Sequence, residues 1–220
     1  MPSAYNTTER LQLGEVGEDK NFLLEKDYSH TAIPIYEEHI KVNVQSQEFS
    51  RASYNLFLKS KEKQHHSVKV DYTDSLKVKP RYLELSIADR VSVINSIMSN
   101  ENTGVDNYLL NKPDAHLISS ISIVFTNEQQ NRIQEADEVF VKSFGVKSYA
   151  LYLYRKGVLI DTIPFSNGVV FKYSTSNFCW KQEGYSAWSI VDIVENDESC
   201  PKGTYRSPKK EKSLNQYLRF

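Results

Sequence analysis

The sequence predicts a strand-dominated α+β protein: an antiparallel sheet or sandwich, with two or three helices inserted between about residues 88 and 144. Three observations carry this prediction. Short segments in which apolar and polar residues alternate recur along the chain, and a period of two marks a half-buried strand. Between residues 88 and 144 the apolar spacing lengthens towards the helical period, and capping pairs stand at the segment starts. Strands that enclose one helical stretch argue against a repeated parallel βαβ unit.

Residues 1–30 show no sustained period. Their acids (Glu9, Glu15, Glu18, Asp19, Glu25, Asp27) outnumber their bases (Arg10, Lys20, Lys26), and the segment reads as an extended acidic arm. A single globular domain is expected over 31–200. Strand signals begin at Ile40, Val42 and Val44, then recur at Tyr54, Leu56 and Leu58, at Val68, Val70 and Tyr72, and at Leu83, Leu85 and Ile87. The second and third of these could pair across the polar stretch 59–66. Ser86 with Asp89 and Thr103 with Asp106 have capping-box spacing, the first with Ile87, Val91, Ile94 and Met98 at helical intervals and the second ahead of Tyr108, Leu109 and Leu110. The apolar run 117–125 suits a strand buried on both faces. Thr126 and Gln129 form a third capping pair before Ile133, Ala136, Phe140 and Phe144, which share a helical stripe; Val139 and Val141 support a competing strand there. Residues 149–154, 158–165 and 169–173 read as a three-stranded meander, with Asn167-Gly168 as its strongest turn signal. A last strand is expected at 188–194, followed by a flexible basic tail over 201–220.

At 220 residues, 40% hydrophobic and 25% charged, the chain can bury a core without help from metal or disulfide. Net charge is −1, so no whole-molecule field drives binding to nucleic acid or membrane. No apolar run reaches the roughly 20 residues needed to cross a bilayer. The polar start lacks a signal-peptide core, which leads to the expectation of a cytoplasmic protein, or one packaged from the cytoplasm. In that setting the two cysteines, Cys179 and Cys200, are expected as thiols rather than a disulfide.

Phosphate-loop, dinucleotide, zinc and serine-hydrolase signatures are absent from the sequence. No catalytic residue, cofactor or metal site is assigned. Tyr36-Glu37-Glu38-His39 could supply an acid and a base, but nothing nearby marks a nucleophile. His65-His66 reads as a loop tip. Asp192, Glu195, Asp197 and Glu198 read as a solvated acidic turn or a face for a basic partner. His30 and His116 read as structural. Bases are concentrated between Lys41 and Arg81 and again in the tail, opposite the acidic arm, which gives the chain complementary patches.

The candidate partner-binding residues are aromatic. Trp180, Tyr185 and Trp188, with Phe178, flank a polar loop and can anchor an interface as well as close a core. Tyr217, Leu218 and Phe220 end the basic tail, where an aromatic–aliphatic terminus suits docking into a groove. This terminus resembles in part the C-terminal peptides that dock on DNA sliding clamps, with Asn215 where their leading Gln stands. The expected function is a non-catalytic assembly or protein-binding component of a larger complex, such as a virion, tail or secretion-type machine. Its expected partners are other protein subunits, copies of itself included; nucleic acid is a less favoured partner, and no membrane partner is expected. The alternative is an enzyme or a ligand- or nucleic-acid-binding domain whose site is assembled from distant residues.

Overall fold

The structure is a computed structural model that describes residues 4–21, 26–184 and 187–208, with the backbone alone for 19–21 and 26–31. Its strands are β1 (Tyr5–Asn6), β2 (Val16–Asn21), β3 (Lys26–Ala32), β4 (Ile40–Glu48), β5 (Arg81–Ile87), β6 (Ala115–Val124), β7 (Glu138–Ser143), β8 (Tyr149–Arg155), β9 (Val158–Pro164), β10 (Val169–Glu183) and β11 (Ala187–Glu195). The helices are α1 (Arg51–Lys63), α2 (Arg90–Ile97), α3 (Thr103–Asn111) and α4 (Asn127–Glu135). All strands join one antiparallel sheet in the order β1-β10-β6-β5-β4-β7-β8-β9; β11 extends β10, and β2 joins both β6 and β3. The β-dominated α+β class is therefore observed, with α2, α3 and α4 inside the expected window.

The sheet curls around its N-terminal segment. Gln12 accepts through Oε1 from the Tyr149 N–H at 2.7 Å. Two and three residues later, Gly14 N–H donates to the Ile118 carbonyl at 2.9 Å, and Ile118 N–H donates to the Glu15 carbonyl at 2.8 Å. Residues 12–15 thus bridge β6 and β8, which three strands separate along the sheet. Leu11, Leu13 and Val16 are at most 1% exposed and belong to the main core. Burial of each is worth about 2 kcal/mol. Tyr36 lies beneath this bridge and donates its hydroxyl to the Gly14 carbonyl at 2.8 Å. Gly14 has φ +93°, and a Cβ there would stand 2.8 Å from the Tyr36 ring, so both backbone and packing require glycine.

The expected free arm is accordingly corrected over residues 4–18. Leu11, Leu13 and Val16 are too few to mark a period, and long-range contacts decide their burial. A second correction concerns Tyr54, Leu56 and Leu58, which lie on α1 rather than on a strand. Ser50 accepts from Ser53 N–H while Ser53 Oγ accepts from Ser50 N–H, closing a capping box. Phe57 then packs with Phe49, Val124, Val169 and Phe171 in a second core on the other face of the sheet. Among the described residues Val68, Val70 and Tyr72 pair with no strand. They line α1, with the Tyr54 and Tyr72 rings stacked at 4.8 Å and the Tyr54 hydroxyl on the Val70 carbonyl.

Farther along, Asp89 itself caps α2, accepting from Ser92 N–H at 2.9 Å, and no side chain caps α3. The Thr126–Gln129 box opens α4 as its spacing predicts. That helix stops at Glu135, and Phe140 falls on β7, so the competing strand reading holds there. Asn167-Gly168 closes a 3₁₀ turn, Phe165–Asn167, not a hairpin. β9 pairs with β8, while β10 crosses to β6. The tight hairpin turn is at Lys156 (φ 51°) and Gly157 (φ 74°), so the meander is β7-β8-β9.

Cys179 and Cys200 form a disulfide, against the expectation of free thiols. It fixes the start of the tail to β10, where Trp180 and Tyr205 exchange backbone hydrogen bonds at 2.7 and 2.8 Å. The expected flexible tail is therefore corrected over 201–208, and its remainder lies outside the described residues.

Candidate protein-binding face

The two faces of β7, β8 and β9 differ sharply. On the core side stand Val139, Val141, Leu151, Leu153 and Ile163, none more than 5% exposed. The outward phase of the same alternation carries rings. Across the sheet, Lys41 on β4 faces Phe140 on β7, Phe140 faces Tyr152 on β8, and Tyr152 faces Thr162 on β9. In the adjacent row Glu138 faces Tyr154, and Tyr154 faces Leu159. Phe140, Tyr152 and Tyr154 are half-buried, and Leu159 is 46% exposed.

His39, immediately before β4, organises the centre of this face. Its ring lies 5.6, 5.4 and 5.7 Å from Phe140, Tyr152 and Tyr154, edge-on to each. Its Nε2 shares a hydrogen bond with the Tyr154 hydroxyl at 3.2 Å. Partial burial among the rings, reinforced by the Lys142 ammonium, lowers the His39 pKa. The imidazole is therefore neutral at neutral pH, and the cluster is an aromatic patch with little charge at its centre. Its rim is charged: Lys41 and Glu138 pair at 3.0 Å with both side chains about half-exposed, an arrangement that adds under about 1 kcal/mol to stability. Beyond this pair β4 and β7 part, opening a cleft of about 400 Å³ against Gln134, Asp137 and Ser46.

The tetrad Tyr36 to His39 does not converge. Tyr36 is wholly buried, and burial aided by Glu15 pushes its hydroxyl pKa far up, so it remains a hydrogen-bond donor. Glu37 and Glu38 line a separate groove with Glu101, and His39 turns to the rings. Among the described residues no three His, Cys, Asp or Glu side chains gather as a metal set. His66 is occupied structurally, with Nδ1 accepting from Val68 N–H and Nε2 on the Ser166 carbonyl. Glu195 and Glu198 pair with Arg90 at 3.4 and 3.9 Å.

The aromatic residues singled out from sequence are dispersed. Trp180 is 2% exposed and belongs to the core. Trp188 is half-buried, edge-on to Tyr205 at 6.1 Å. Tyr185, Tyr217, Leu218 and Phe220 lie outside the described residues. Sequence reasoning missed the Phe140–Tyr152–Tyr154 face, although a signal existed: Tyr152 and Tyr154 occupy the polar phase of a strand whose apolar phase is Leu151 and Leu153. No family model, no curated protein and no solved structure matches the chain.

Proposed function

We propose that the protein is a non-catalytic, protein-binding component of a larger assembly, and that it docks a second copy of itself through the outer face of β7, β8 and β9. The observation that carries this reading is the ring cluster of Phe140, Tyr152, Tyr154 and neutral His39, set on a sheet face opposite the core and framed by charges. An aromatic centre with a charged rim is the composition of interface hot spots.

The charge pattern supports a second copy. Glu138, Phe140 and Lys142 alternate along β7 on this one face. A two-fold axis running across the strands above Phe140 sets Glu138 of one copy against Lys142 of the other, and the reverse. The disulfide supports an assembly that meets a non-reducing setting. No helix among the described residues is long and apolar enough to cross a membrane.

The test is a charge swap read by sedimentation. Lys142→Glu sets acid against acid twice in the dimer and is expected to dissociate it. Adding Glu138→Lys to the same chain restores the complementarity and the dimer. A wild-type chain that sediments as a monomer at every concentration, or a swap that fails to rescue, overturns the reading.

A further inference from the structure

Among the described residues β9 pairs with β8 alone and β11 with β10 alone. Each therefore presents a row of backbone groups on its free side, and such rows template strand addition by another chain. The two strands carry the same local arrangement. In β9, Leu153 faces Asp161 and Tyr154 faces Leu159, which leaves Ile160 as an extra residue, a bulge 44% exposed. Asp161 follows, and its Oδ1 accepts from Thr162 N–H at 2.8 Å. In β11, Cys179 faces Asp192 and Trp180 faces Ile190, which leaves Val191 as the bulge, 40% exposed. Asp192 follows, and its Oδ1 accepts from Ile193 N–H at 2.8 Å.

Both capped N–H groups point away from the sheet. The N–H and C=O of one strand residue share a side. The Ile193 carbonyl accepts from Arg90 at 2.9 Å, so its N–H also faces outward. For β9 the ladder parity decides. Phe144 N–H bonds to the Ser148 carbonyl across the β7–β8 turn, so alternate residues back from there, Ala150, Tyr152 and Tyr154, bond to β7. Leu151 and Leu153 bond to β9, through Ile163 and Asp161. Thr162 between them faces outward, and Pro164 has no N–H to offer. An arginine braces each site: Arg132 lies 2.9 Å from the second oxygen of Asp161, and Arg90 holds the Ile193 carbonyl together with Glu195.

We infer that Asp161 and Asp192 are edge locks: beside a bulge, each occupies the outward N–H of the next residue and so prevents a second copy of this chain from adding a strand to β9 or β11. This does not depend on the outer face being an interface. It divides the surface into a face open to side-chain docking and two edges closed to backbone pairing.

The test compares wild type with Asp161→Ala/Asp192→Ala and Asp161→Asn/Asp192→Asn by sedimentation velocity over a concentration series. The alanine variant is expected to show roughly a doubling or more of the weight-average mass relative to wild type, the least that strand pairing between copies produces. The asparagine variant keeps an acceptor oxygen and is expected to sediment as wild type. A folded alanine variant with wild-type mass throughout overturns the inference. Hydrogen exchange on the wild type covers the case in which the alanine variant does not fold. The Thr162 and Ile193 amides are expected to be protected, and exchange of both at the rate of an unstructured peptide overturns the inference independently.

Discussion

Replacing Cys200 with serine is expected to cost about 3 kcal/mol of folding stability. The Cys179–Cys200 bridge joins residues 21 apart. Closing a loop of that length removes about 11 cal/mol/K from the unfolded chain, or about 3 kcal/mol at 25 °C. Cys200 is the residue to change because it is half-exposed, whereas Cys179 is fully buried and a serine hydroxyl there would add its own desolvation cost. The folded side of the comparison stays nearly constant, since the backbone exchange between Trp180 and Tyr205 remains available. Urea unfolding read by tryptophan fluorescence measures the change as a lower midpoint. A thermal scan should show a fall of about 6–12 °C for a chain of this size. Wild type in reductant should unfold with the variant. Coincident midpoints for oxidised wild type and Cys200→Ser would refute the reasoning, because the segment after Glu195 would then be held without the bridge.

Gly14→Ala is expected to lose about 2–5 kcal/mol, from a left-handed backbone forced on a residue with a Cβ and from overlap with the Tyr36 ring. Chemical denaturation measures it, and a loss below about 0.5 kcal/mol would show that residues 12–15 do not close the sheet. His39 gives the protein a pH dependence of known sign. Its folded pKa lies below the unfolded 6.5, so the folded state binds fewer protons. Stability is fully present above 6.5 and declines as pH falls through 6.5 towards the folded value. His39→Gln should flatten that part of the pH–stability profile, and a variant with an unchanged slope would assign the dependence to other groups.

What could be read from sequence follows from the range of each interaction. Alternation at Ile40, Val42 and Val44 and at Leu83, Leu85 and Ile87 reports which face of a strand is buried, the continuous apolar run 117–125 marks a strand buried on both, and such patterns are complete within a few residues. The Thr126–Gln129 box is equally local, and α4 begins where it stands. Tyr54, Leu56 and Leu58 show where local reading stops: three alternating residues fit a strand, but the Ser50–Ser53 cap and the contacts of Phe57 with Phe49 and Phe171 make a helix. Asn167-Gly168 is similar. Its turn chemistry suits a hairpin, yet β10 pairs with β6 and β1 instead of β9.

The candidate face was legible only in part. Tyr152 and Tyr154 were visible as strand residues, but nothing along the chain says that no other described element covers their outward side, or that His39, just before β4, packs its ring among them. The edge locks were hidden for the same reason: an aspartate after an aliphatic residue is ordinary in sequence, and becomes a cap only when a bulge turns the following N–H outward at a sheet margin.

By itself the sequence determined the strand-rich class, several of the strand phases and the capped start of α4, because neighbours in the chain settle those. The tertiary structure alone decided that Leu11, Leu13 and Val16 close the sheet, that Cys179 meets Cys200, and that among the described residues one ring-bearing face stays uncovered. These depend on contacts between residues distant in sequence, whose energies are set by the packing of the whole chain.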